Sequence, residues 1–124
     1  MARISHREFQ RLVLKALEGI PSNFLARLDN VDVVVNDWPT REDLERTGLD
    51  DPHELFGLYH GIPLTERTHD DMALPDRIAI YRRPLESACR TRLDIVEEIR
   101  RTVLHELAHH FGIGDAELEQ TEYR

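Results

Sequence analysis

His105-Glu106-Leu107-Ala108-His109-His110-Phe111-Gly112-Ile113-Gly114-Asp115 is the stretch on which the reading of this chain turns. Four residues advance an α-helix by about 400°. His105 and His109 therefore project from one face, one turn apart. Two imidazoles so placed can share one Zn²⁺ at roughly 2.0–2.1 Å. Glu106 stands about 100° round the helix from His105. From there its carboxylate reaches a water activated by the metal without being a ligand. This is the HExxH arrangement, two ligands and a general base.

The helix that carries this segment is legible upstream of it. Ile95, Ile99, Val103 and Leu107 form an inward stripe, which predicts a long helix from about Asp94 to Phe111. Gly112 and Gly114 stop it. The charges of Glu97, Glu98, Arg100 and Arg101 read as its solvated face. His110 points about 100° away from His109 and is expected to support the site rather than bind metal.

Composition makes the five-residue motif only moderately specific. In a chain this rich in His and Glu, HExxH is expected in roughly one shuffled sequence in twenty-five. Adding Gly112 and then His or Asp six residues beyond His109 lowers that to roughly one in a few thousand. A glycine at 112 permits positive φ and a sharp turn out of the helix. That turn can swing Asp115 back to the metal as a third ligand. Asp115 also fits as the N-cap of a short helix over 115–122, and Glu117 and Glu119 are alternative ligands.

The remaining segments predict an α+β order. Ser5 and Glu8 fit a capping box and Ile4 and Phe9 a hydrophobic staple. Phe9, Leu12, Val13, Ala16, Leu17 and Ile20 then mark the buried stripe of a first helix, ended by Gly19 and Pro21. A short helix over 22–28 would turn Leu25 and Leu28 inward. Val31 to Val35 is β-branched and reads as a strand. Thr40 caps a helix over 41–47 that Gly48 ends. Residues 55–59 and 77–82 are two further strands, and 65–75 a polar loop. Pro84 closes the third strand or opens a turn of helix through Cys89. The whole is expected to be one α+β domain over residues 1–124, about three strands packed on the first helix and the long one.

Charge and cysteine usage narrow the functional classes. The net charge is −8, and the pI is near 5.3. That argues against a nucleic-acid partner and against binding to anionic membrane. No stretch approaches the roughly 20 apolar residues of a membrane span, and the first residues carry no apolar signal segment. A cytoplasmic location is the expectation. Cys89 is the single cysteine, which leaves no internal disulfide and no thiolate metal cluster. It is expected to be buried.

The eleven-residue pattern HExxHxxGxxD resembles the metzincin pattern HExxHxxGxxH with Asp in place of the third His. More closely, the chain is similar to the minimal zincins, or mini-zincins. Gly57 to Leu64, Leu74 to Ile78 and Thr102 to Glu106 are family-like, so the resemblance spans residues 55–115. It implies a small sheet packed on the first helix and the active-site helix, and a peptidase-type activity. It departs from true metzincins in one respect: residues 116–124 contain no methionine for a Met-turn.

Together these readings predict a zinc-dependent peptidase acting on a peptide or protein substrate. His105, His109 and Asp115 hold Zn²⁺, and Glu106 is the general base. The competing class is a zinc-binding regulatory or structural module without proteolytic activity. A third is a metal-assisted hydrolase of a non-peptide amide. Around the site, Asp76 and Asp37 are candidate partners for a ligating histidine. Tyr59 and Tyr81 are expected to be partly buried in the sheet rather than to stabilise an oxyanion. His60 and His69 read as surface residues. Either 55–60 or 77–82 could be a sheet edge open to a peptide strand.

Overall fold

The stripe Ile95, Ile99, Val103 and Leu107 is completely buried, and so are Phe9 and Ala16 of the first helix. These two surfaces meet over one face of the sheet, and their contact organises the molecule. The structure is a computed structural model and describes residues 3–29, 31–61 and 76–111. The elements in order are α1 (His6–Glu18), α2 (Ser22–Leu25), β1 (Val31–Asn36), α3 (Arg41–Thr47), β2 (Gly57–His60), β3 (Asp76–Tyr81), α4 (Arg82–Ala88) and α5 (Arg92–Phe111). Short 3₁₀ turns follow α2 and precede β2. The α+β class and the three-stranded sheet are as the sequence predicts. Five helices stand among the described residues: the first and the long one, and three short ones where the sequence suggests a short helix over 22–28, a helix over 41–47 and a turn of helix through Cys89.

The sheet is mixed, in the order β1-β3-β2. β1 runs parallel to β3 and β2 antiparallel to it. β3 is therefore the central strand, and residues 77–82 are not an edge. β2 is an edge among the described residues. One face carries Val31, Val33, Val35, Ile78, Ile80 and Tyr59 against α1 and α5. The other carries Val34, Leu58, Ala79 and Tyr81 with Leu44 and Leu49 of the α3 region.

Local chemistry sets most element ends. Ser5 Oγ accepts from the Glu8 N–H at 3.1 Å. The Glu8 carboxylate does not complete the box; it accepts from Arg92 at 2.9 Å and ties α1 to the start of α5. Thr40 and Asp43 form a full capping box on α3, and Gly48 ends it at φ 73°. In the 22–28 segment Leu28 packs against the core as expected, but Leu25 is exposed and Phe24 is buried in its place. The inward residues are thus four apart, Phe24 and Leu28, rather than three. Arg100 is not on a solvated face. It reaches across to α1, where its Nε donates to the Ala16 carbonyl at 3.0 Å. Cys89 is buried, and that pushes its thiol up to about 11.

Asp43 is the polar pivot on the second face of the sheet. It is buried, and burial opposes ionisation. The Thr40 N–H, the Tyr81 hydroxyl at 2.8 Å and the Thr40 hydroxyl outweigh that and hold the carboxyl below its usual range. Asp43→Ala removes the return half of the α3 capping box, the carboxylate that accepts from the Thr40 N–H, worth ~1 kcal/mol. It also strands the buried Tyr81 hydroxyl, costing ~1–3 kcal/mol more. Urea denaturation is expected to show a loss of about 2–4 kcal/mol; a loss within ~0.5 kcal/mol would contradict this reading.

Candidate active site on α5 and the β2 edge

β2 lies against α5 because Gly57 has no side chain. A Cβ there would stand 2.7 Å from Thr102 Cγ2 and 2.9 Å from the Ala79 carbonyl. The Tyr81 N–H donates to the Phe56 carbonyl at 2.9 Å, immediately before β2. Antiparallel alternation then turns the main chain of Leu58 and His60 toward β3, and that of Gly57 and Tyr59 toward the open edge.

The outward Tyr59 N–H donates to Glu106 Oε1 at 2.8 Å. This bond links residues 47 apart in sequence and aims the Glu106 carboxylate along the strand edge. His105 and His109 are exposed on the same helix, one turn apart, and Glu106 is half-buried between them. Two cavities meet at Glu106. The larger, about 510 Å³, is lined by His109, His110, Tyr59, Gly61 and the end of α3 at Arg46 and Thr47. The smaller, about 270 Å³, is lined by His105, Thr102, Gly57, Phe56, Glu98 and Arg101. The result is an open cleft along β2 with the carboxylate at its centre and one histidine on either side.

His110 turns away from this pair, as the helix geometry predicts. Its ring stacks on Tyr59 with centroids 3.8 Å apart and planes 16° from parallel. The Tyr59 hydroxyl donates to Asp76 Oδ2 at 2.7 Å, and His110 Nε2 lies 3.9 Å from the same oxygen. Asp76 thus neighbours His110 rather than a candidate ligand. Asp37 is held by Arg82 at 2.8 Å. Both tyrosines are buried, as expected. The Tyr81 hydroxyl is committed to Asp43, and its ionisation is pushed above the usual tyrosine range by burial and by that carboxylate.

His60 is not a surface residue of no consequence. Its Nδ1 is 3.2 Å from Arg46 Nη1 and its Nε2 is 3.5 Å from Asp43 Oδ1. Burial, with Arg77 and Arg46 nearby, lowers its pKa against the opposing pull of Asp43. Nothing local in the sequence marks this grouping, because it joins the end of α3 to the end of β2.

Asp115, Glu117, Glu119, Gly112 and His69 lie outside the described residues. Among the described residues no group of three metal-ligating side chains is assembled. His105 and His109 nevertheless fit a zinc ion. Both are exposed nitrogen donors one turn apart on a rigid helix, and they open onto the cleft that holds Glu106. No described helix is long and apolar enough to cross a membrane.

A family model described as zincin-like metallopeptidase matches residues 28–124, more than half of the chain. No curated protein matches it.

Proposed function

Because the chain belongs to the zincin-like metallopeptidase family, we propose that it is a zinc-dependent peptidase with Glu106 as its general base. The observation that carries the proposal is the position of Glu106. It sits where two cavities meet along an edge strand, and the Tyr59 main chain holds it at 2.8 Å.

His105 and His109 would hold the metal from one face of α5, with Asp115 as the third ligand. Zn²⁺, when bound, supplies Lewis acidity that polarises a carbonyl and brings the pKa of a water toward about 7. The chain's own groups supply the rest. Glu106 takes the proton of the attacking water and delivers it to the leaving amine. The Tyr59 N–H fixes one carboxylate oxygen and leaves the other for that proton. The cleft on both sides of Glu106 gives an extended peptide room on either side of the scissile bond. An extended peptide would lie along the edge of β2, where the Gly57 main chain and the Tyr59 carbonyl face outward while the Tyr59 N–H stays on Glu106.

The test is hydrolysis of a mixed set of quenched fluorescent peptides by the purified full chain, with metal analysis alongside. Chelation is expected to abolish cleavage, and stoichiometric Zn²⁺ to restore it. Cleavage that survives complete removal of metal would overturn the proposal. Tightly held zinc with no cleavage of any peptide would favour the non-catalytic module instead.

A further inference from the structure

The two halves of the cleft differ in charge. In the smaller cavity Glu98 and Arg101 pair with each other at 2.9 Å and cancel. In the larger cavity Arg46 stands at the wall with no carboxylate partner among the described residues. The group that touches its guanidinium is His60. A guanidinium can only donate, so His60 Nδ1 accepts and its proton sits on Nε2, toward Asp43. The imidazole in contact with Arg46 is therefore neutral. It orients the cation without neutralising it.

The surroundings strengthen this. Arg77 faces His60 across the sheet and has Asp32 opposite it on β1. Asp43 lies against His60 and already accepts from the Tyr81 hydroxyl and the Thr40 N–H. Of this group, Arg46 is the one that lines the cavity. Helix capping does not account for Arg46. The Thr47 hydroxyl and the main chain of Gly48 and Leu49 take the carbonyls of Asp43, Leu44 and Glu45, and the Arg46 guanidinium turns to His60 instead.

We propose that Arg46 is an anion-binding subsite of the cleft that receives a carboxylate of the peptide substrate. The carboxylate is either an acidic side chain or a free C-terminus. This rests on the peptidase reading for the identity of the ligand as a peptide. A fork of N–H donors suits a carboxylate, and the open cleft keeps the gain moderate, at roughly five- to tenfold in affinity.

The experiment is fluorescence anisotropy with dye-labelled eight-residue peptides on the Glu106→Gln chain, which leaves them uncut. One series walks a single Glu along a neutral, amidated peptide. A second carries no Glu and ends in a free carboxylate. A neutral, amidated peptide is the reference. One charged series is expected to bind roughly five- to tenfold tighter than the reference, and which series does so identifies the source. Arg46→Gln is expected to remove that preference with the thermal midpoint unchanged, since Arg46 is exposed. Arg46→Glu should reverse it. Equal binding of all peptides, a preference that persists in Arg46→Gln, or no binding at all would overturn the proposal. An Arg46-dependent preference in a chain whose wild type cleaves nothing would instead leave the subsite standing and remove the peptidase reading.

Discussion

Glu106→Gln is expected to lower kcat/KM for peptide hydrolysis by about 100- to 10,000-fold, the range for loss of a general base. That equals about 3–5 kcal/mol of transition-state stabilisation. The substitution is discriminating because of what it retains. A glutamine carbonyl oxygen can still accept from the Tyr59 N–H, so the tie between α5 and β2 survives. Its amide cannot take the proton of the attacking water. Zinc content and thermal midpoint should therefore match the wild type while turnover is lost. Measured together, undiminished turnover would sink the general-base role. Lost zinc would show instead that Glu106 helps to hold the metal.

His109→Ala is expected to remove both zinc and activity. Even groups that only orient a metal's ligands typically cost 10- to 100-fold in affinity when removed. Deleting a ligand itself should therefore cost more than roughly 100-fold. The fold should persist, because His109 is exposed and makes no contact that builds the core. Metal analysis after dialysis separates this outcome from that of Glu106→Gln: one variant is inactive without zinc, the other inactive with it. Zinc retained at wild-type stoichiometry in His109→Ala would place the metal elsewhere.

Features that depend on neighbours close in sequence were legible before the structure. The capping of α3 by Thr40 and its end at Gly48, the α5 stripe, and the projection of His105 and His109 from one helix face all follow from residues within a few positions of one another. The three strands follow in the same way. The misreadings have a common origin. Leu25 reads as inward beside Leu28, but packing turns Phe24 in instead. Arg100 reads as solvated, but α1 packs against it.

The sequence by itself determined the helix, the pair of histidines, the intervening carboxylate and the sheet that supports them, because helical and strand periodicity are properties of the local backbone. Tertiary structure decided which strand is an edge, since β3 lies between two others. It also decided that Tyr59 aims Glu106, that His110 stacks on Tyr59 beside Asp76, and that a neutral His60 holds Arg46 at the cleft. These contacts join residues 14 to 51 positions apart. At such separations no periodicity survives, and only packing brings the partners within bonding distance.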